Sequence, residues 1–310
     1  MARTWPVGSS TCRRRRSERS PACPTGSSRS PSNGDSLTHS RRQLLDLFDR
    51  HGLKPSRALG QNFVADANTV RRIARLAEVG PGDRVVEIGA GLGSLTLALA
   101  ETGASVTAVE IDRYLLPALR AVVEPAGVTV VEGDAMRLDW PALLGAAADR
   151  PWVLVANLPY NVATPLVADL LDFVPHIERM LVMVQKEVGE RLAAGVGDDA
   201  YGAVSVKVAY WARAKVVGKV PPTVFVPAPN VDSALVSIVR RARPAVSPDE
   251  VSAERLFEVV RAGFAHRRKM LRGTLGGVVD PSAFERAGVA PTARAEELDV
   301  AAWGRLARVG

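Results

Sequence analysis

The sequence predicts a doubly wound, mostly parallel α/β sheet of seven strands, followed by a small all-helical domain. Three observations carry this. From residue 84 onward, short apolar runs alternate with helix-like segments, as in a parallel sheet with crossover helices. The first run flows into a glycine-rich turn, Gly89-Ala90-Gly91-Leu92-Gly93, and then into a helical pattern. After Arg240-Arg241-Ala242-Arg243-Pro244 the strand signal disappears and only helical spacing remains. The expected organisation is a tail over 1–40, the sheet domain over 41–243 and the helical domain over 244–310.

The tail is rich in Arg, Ser, Pro and Gly, contains Arg13-Arg14-Arg15-Arg16 and has almost nothing to bury, which predicts disorder. An arginine-rich, acid-poor start also suits an organelle targeting segment. The lack of an arginine-bearing amphipathic helix favours a disordered extension or a misassigned start. Leu44, Leu45, Leu47 and Phe48 then predict a helix ending at Gly52, followed by a loop over 59–64. A second amphipathic helix, with Val70, Ile73, Ala74, Leu76 and Ala77, stops at Gly80-Pro81-Gly82. Strands are expected at 84–88, 105–109, 128–131, 152–156, 180–184, 205–211 and 233–239. Helical crossovers between the early ones and close spacing between the late ones predict an antiparallel end. Residues 250–310 read as short helices. Apolar residues at 260, 264, 271 and 275, with Arg261, Arg268 and Arg272 on another face, predict one helix with a packed side and a basic side.

Composition excludes several classes. At 310 residues and 47% hydrophobic, with mean hydropathy near zero, the chain can bury two cores. Its longest uncharged stretch, 151–168, holds three prolines and two asparagines, so no membrane association is expected. The only cysteines, Cys12 and Cys23, lie in the tail, which removes a disulfide framework, a cysteine-ligated zinc and a cysteine nucleophile. The four histidines are scattered, and no metal is expected. The net charge of +7 is uneven: residues 200–275 hold thirteen Lys/Arg against five Asp/Glu. A basic region on an otherwise neutral-to-acidic body suits a polyanion.

The candidate site begins at Asn157-Leu158-Pro159-Tyr160, which ends the apolar run Trp152–Ala156. Ligands of open α/β sheets sit outside the carboxyl ends of strands. An amide that can accept from an amine, beside a ring that can stack, suits an adenine; a strand-ending turn with a half-buried tyrosine is the plain alternative. The glycine turn lacks the third glycine spacing of a dinucleotide fingerprint, since position 94 is Ser. Gly-x-Gly-x-Gly with an acid two residues before it is commoner in S-adenosylmethionine enzymes, with a dehydrogenase as the alternative. Glu110 ends the second strand, nineteen residues past Gly91, where it can accept ribose hydroxyls; Asp134 ends the third, where it can accept from an adenine amine. Asn157 ends the fourth.

Together with Leu-Gly-Gln-Asn-Phe (59–63), Glu-Ile-Gly-Ala-Gly-Leu-Gly (87–93), Val-Glu-Ile-Asp (109–112), Gly-Asp-Ala-Met (133–136), Asn-Leu-Pro-Tyr-Asn (157–161), Val-Gln-Lys-Glu-Val (184–188), Phe-Val-Pro-Ala-Pro-Asn-Val-Asp-Ser (225–233) and His-Arg-Arg-Lys-Met-Leu (266–271), these residues make the chain resemble the ribosomal RNA adenine dimethyltransferase family, and within it the small-subunit type. The resemblance covers about 59–275. It implies a Rossmann-like, seven-stranded S-adenosylmethionine-dependent methyltransferase domain. The implied reaction dimethylates N6 of two adjacent adenosines in a hairpin loop near the 3′ end of small-subunit ribosomal RNA. The implied cofactor contacts are Asn62, Val64, Gly89, Glu110, Asp134 and Asn157, to which the glycine spacing adds Gly91. The family usually has Pro where this chain has Ala90 and Leu where it has Val64; both positions can act through the backbone.

The expected catalytic group is Asn157 and the Leu158 carbonyl, accepting the two amino hydrogens, with Pro159 setting the turn and Tyr160 stacking on the flipped base. Phe225, in a proline-dense loop, would close the other face, or else plug a hydrophobic gap. Asn161 is read as a helix cap. Arg261, Arg267, Arg268, Lys269 and Arg272 are the expected RNA contacts. The partner implied is the immature small ribosomal subunit, met by a cytoplasmic monomer. The alternatives are a large-subunit ribosomal RNA adenine methyltransferase of the antibiotic-resistance type and a non-catalytic assembly factor.

Overall fold

Burial of the central strands on both faces dictates the layers of the molecule. The computed structural model describes residues 38–145, 150–266 and 269–310; the tail through residue 37 lies outside them. The described residues contain nine strands: β1 (Phe63–Val64), β2 (Arg84–Ile88), β3 (Ser105–Glu110), β4 (Thr129–Glu132), β5 (Trp152–Asn157), β6 (Ile177–Gln185), β7 (Ala212–Val220), β8 (Phe225–Val226) and β9 (Ser233–Arg240). Seven form one sheet in the order β4-β3-β2-β5-β6-β9-β7. Pairing is parallel from β4 through β6, and β9 runs antiparallel to both β6 and β7. This is the expected doubly wound sheet with an antiparallel end.

Val85, Val106, Val153 and Val155 point to one face, under helices Ala67–Leu76, Ser94–Ala100 and Leu116–Val123. Val86, Ile88, Leu154 and Ala156 point to the other, under Trp140–Leu144, Ala163–Phe173 and Lys186–Ala193. Strands buried on both faces lose polar alternation, which is why they read as continuous apolar runs. The first predicted helix is present as Arg41–His51, closed by Gly52, with a capping box between Ser40 and Gln43. The loop expected over 59–64 contains β1, which pairs with β8 as a separate two-stranded ribbon.

Two expectations fail. Residues 205–211, read as a strand, lie in a helix, Ala203–Trp211. Val208 packs into the sheet core, while Val206 and Tyr210 pack into the C-terminal core. A helix clamped between two cores is apolar all round, and its periodicity is erased. The strand is instead β7, whose exposed Arg213, Lys215 and Lys219 hide it. As the free edge of the sheet, β7 is protected from further pairing by those charges.

The single helix expected across 260–275 is also broken. One helix spans Ala253–Phe264 and another Leu271–Thr274. Between them Met270 bridges to Arg294, and the N–H groups of Leu271 and Arg272 donate to Ala293 and Pro291. Tertiary hydrogen bonds replace helical continuity there, while Val260, Leu271 and Leu275 still meet in one core with Trp303 and Leu306.

Arg240, at the end of β9, locks sheet to helix. Its guanidinium donates to the carbonyls of Leu170, Leu171, Val174 and Ile177 and lies 5.9 Å from the Trp211 ring. Leu170 and Val174 also accept from the Val174 and Ile177 N–H groups, whereas the terminal carbonyl of Leu171 has Arg240 as its described donor. Arg240→Ala is therefore expected to destabilise the protein by about 2–4 kcal/mol, measured by urea denaturation, because it removes four hydrogen bonds from a charged donor and orphans the Leu171 carbonyl. Arg240→Lys, a point charge that cannot reach four acceptors, should recover less than half of the loss.

Candidate active site

The strand order reverses between β2 and β5, and the crevice outside their carboxyl ends is where open sheets bind ligands. A cleft opens there as two adjoining chambers sharing Leu59, Gly89, Ile111 and Pro159. Among the predicted site residues, Asn62, Val64, Gly89, Gly91, Glu110 and Asn157 through Tyr160 line the first chamber. Asp134 lines the second.

Glu110 organises the first chamber. Its Oε2 accepts the Gly91 N–H at 2.7 Å and its Oε1 the Asp112 N–H at 2.9 Å. The side chain is buried, and burial raises its pKa against the pull of those two N–H groups. Gly91 has φ +60°, and a Cβ there would come within 2.9 Å of the Phe63 ring. Glycine is required by both the backbone and the neighbour. The Leu-Gly-Gln-Asn-Phe segment thus packs directly on the glycine turn, and Gln61 ties it further by donating to Asp112 at 2.8 Å. From the N-terminal side, the Thr38 hydroxyl donates to the Ser94 carbonyl, and the His39 ring sits 3.1 Å from the Leu92 carbonyl.

Asn157 ends β5 as expected, and its Nδ2 donates to the Asn62 carbonyl at 2.9 Å. That bond orients the amide and leaves Oδ1 to accept a hydrogen from the cleft. None of the described hydrogen bonds uses the Leu158 carbonyl, while the Leu158 N–H donates to Met183. The Pro159 carbonyl accepts from Val162 and Ala163, which fixes the turn. Tyr160 is half-buried with its hydroxyl 3.0 Å from that of Ser233, and burial pushes its pKa up, so it stays a neutral phenol. Asp134 Oδ1 accepts the Met136 N–H, holding the loop that carries it.

Phe225 does not line the cleft. Its ring is 1% exposed and packs in the core with Val64 and Leu235, which is the gap-filling alternative. Asn161 does not cap the following helix, whose first residue follows Val162 without a side-chain cap; it lines the second chamber instead. Arg261, Lys269 and Arg272 are exposed on the C-terminal helices and the segment joining them; Arg267 and Arg268 lie outside the described residues. Among the described residues no group of three or more His, Cys, Asp or Glu is placed to hold a metal ion, and no helix is long and apolar enough to cross a membrane.

One site residue escaped prediction. Glu87, 2% exposed, borders the first chamber with a buried Oε2 that has no hydrogen-bond partner among the described residues. Burial pushes its pKa up to about 8, with the Glu110 charge adding and the Thr96 hydroxyl opposing. Its signal, an acid two residues before Gly89, marked the motif but not a contact.

A family model described as ribosomal RNA adenine dimethylase matches residues 52–309. A protein named ribosomal RNA small subunit methyltransferase A from Cutibacterium acnes is 50% identical over 276 residues, covering 85% of this chain and 90% of its own. Its namesake from Streptomyces coelicolor is 51% identical over 275 residues, covering 85% and 94%. Among solved structures, the 23S rRNA methyltransferase ErmE superposes with a TM-score of 0.63 at 28% identity, covering 80% of this chain and 99% of its own.

The raised pKa of Glu87 has a definite sign. The unfolded chain ionises near 4.5 and the folded one near 8, so this group makes stability fall as pH rises through that window. Glu87→Gln removes the effect. Its unfolding free energy relative to the parent, measured by urea denaturation, should climb from pH 5 to pH 8 by at most about 1.4 kcal/mol per pH unit; a constant difference across pH would show that Glu87 is ionised throughout.

Proposed function

The chain belongs to the ribosomal RNA adenine dimethylase family, and from that membership we propose how its cleft dimethylates N6 of two adjacent adenosines in a hairpin loop near the 3′ end of small-subunit ribosomal RNA. Identity near 50% to small-subunit enzymes, against 28% to the large-subunit one, favours the small-subunit substrate. The immature small subunit as the form acted on, a monomeric enzyme and a cytoplasmic setting complete the reading.

The donor proposed is S-adenosylmethionine, and the residues present fit it. Glu87 offers a buried oxygen without a partner, as a site awaiting positive charge does. Glu110 and Asp134 bring acceptors to consecutive strand ends. When bound, this donor supplies a methyl group already activated on a sulfonium, so positioning matters more than a general base. Asn62, Val64, Gly89, Gly91, Glu110, Asp134 and Asn157 would hold it.

The observation that carries the catalytic reading is the Asn157–Asn62 hydrogen bond. With Nδ2 engaged, Oδ1 and the Leu158 carbonyl are two acceptors on consecutive residues, matched to the two hydrogens of an adenine amine. Accepting both turns the nitrogen lone pair out of the ring and toward the methyl. Tyr160, its hydroxyl held by Ser233, presents its ring to a base extruded from the RNA. Stacking of this kind is worth roughly 1–3 kcal/mol per base. The exposed Arg261, Lys269 and Arg272, with Arg267 and Arg268 between them in sequence, make the helical region 244–310 the proposed RNA-contacting domain.

Labelled-methyl transfer to small subunits lacking the modification, followed by nucleoside mass spectrometry, tests the reading. Dimethyladenosine in small-subunit RNA is expected; label in large-subunit RNA instead would overturn it. Asn157→Ala should lower kcat by about 10²-fold or more, comparable to removing one preorganised polar partner of a transition state. Its RNA affinity should stay within about twofold, since base contacts are few among the phosphate contacts that dominate binding. Equal losses in both would remove Asn157 from the chemical step.

A further inference from the structure

The arginines that end β9 are absorbed by neither the cleft nor the C-terminal helices. Arg213, Arg240, Arg241 and Arg243 line a groove at the free edge of the sheet together with Val239 and Ala242, and no carboxylate borders it. They do not play one role. Arg240 is committed to four backbone carbonyls and feels Asp172 and Glu178 nearby. Arg241 donates only through Nε, to the Ala209 and Ala212 carbonyls, so its guanidinium is anchored while both Nη groups find no acceptor among the described residues. Arg213 and Arg243 are exposed. None of these last three makes an ion pair among the described residues.

Surface arginines usually find a carboxylate or point freely into water. Three without a carboxylate, converging on one groove with one of them pre-anchored, form an anion cradle whose ordering cost is partly met before binding. The forked guanidinium matches phosphate oxygens in pairs. We propose that this groove is a second RNA site, holding backbone phosphates of the ribosomal RNA away from the target base. The inference rests on the proposed action on ribosomal RNA.

Its position sets which RNA it can hold. Asn157 pairs with Met183 on β6, whereas Arg179, four residues earlier on β6, and Arg213 on β7 both pair with Val239 on β9. The groove therefore lies toward the opposite end of the strands from the cleft and three strands across. At about 3.3 Å per residue and 4.8 Å per strand, that is roughly 20 Å. A phosphate there belongs to another segment of a folded RNA than the flipped nucleotide. The groove thus reads shape rather than sequence, as phosphate contacts do.

The test uses the full chain and the double variant Arg213→Ala/Arg243→Ala, which leaves Arg240, Arg241 and the cleft intact. Affinity is measured from about 50 to 300 mM salt for deproteinised small-subunit ribosomal RNA and for the small subunit itself. Cofactor affinity and melting temperature are read in parallel. Losing two phosphate contacts should weaken binding to both about tenfold at low salt and make the slope of log K against log salt shallower by roughly 1.5, at 0.7–0.9 per contact. Cofactor affinity and melting temperature should not move. An unchanged affinity and slope would overturn the groove, and so would a loss seen on the subunit but not on bare RNA, which would indicate a protein partner. Wild type that bound and methylated no ribosomal RNA would sink the functional reading and the groove together; normal methyl transfer with an unchanged variant slope would sink the groove alone.

Discussion

The site depends on one buried carboxylate bridging two backbone N–H groups. Glu110 accepts from Gly91 in the turn after β2 and from Asp112 in the turn after β3, so two loops leaving adjacent strands are joined at their tips. Once the turn is fixed, Phe63 can rest against Gly91, where a Cβ would collide. Phe63 in turn carries Asn62, whose carbonyl takes the Asn157 amide. Four segments far apart in sequence are aligned by this chain of contacts, each depending on the one before. Charge-assisted hydrogen bonds from backbone N–H groups are among the stronger ones available, and every donor and acceptor in this chain of contacts belongs to the protein itself, as preorganisation requires.

Why each strand end carries a polar group follows from the sheet. Parallel strands covered on both faces must be apolar along their length, so any side chain that meets a ligand appears where the strand stops. Glu110, Asp134 and Asn157 stand at or just past three such stops, and Glu87 lies one residue before a fourth. Being inside the strand, Glu87 is buried more completely than Glu110 and lacks the backbone donors that Glu110 enjoys. Its pKa is consequently pushed up to about 8, by burial first and the Glu110 charge second. On the proposed function, a cationic donor arriving beside the cleft would favour the anionic form of Glu87.

Much of this was legible in the sequence because it depends on local rules. Strand-end polar residues, the glycine turn and the first helix with its Ser40 and Gly52 boundaries follow from short-range patterns, and they appear where expected. What was not legible depends on packing between distant segments. Helix Ala203–Trp211 lost its periodicity because two cores claim it, and β7 lost its apolar signal because it is an edge. The 260–275 segment kept the right buried residues but not the continuous helix, since the loop at 291–293 takes the hydrogen bonds that would have extended it. Phe225 was drawn toward the cleft by its stiff loop. The pairing of Val64 with Phe225 across the small ribbon turns the ring into the core instead, and no local feature encodes that pairing.

The charges of the protein are divided in a way that lets one surface serve two ligands of opposite sign. On the proposed function, the cleft presents Glu110 and Asp134 to a cationic donor, while the edge groove presents arginines to phosphates. Placed side by side, acids and phosphates would repel. At roughly 20 Å along and across the sheet, the separation of groove and cleft is about twice the screening length at physiological salt. The acidic cleft can therefore hold its donor without weakening the grip on RNA, and the polyanion can approach without expelling the donor. Only the target base has to cross that boundary. An adenine base carries no charge, so Asn157 and the Leu158 carbonyl, both neutral acceptors, can receive it beside the acids at no electrostatic cost.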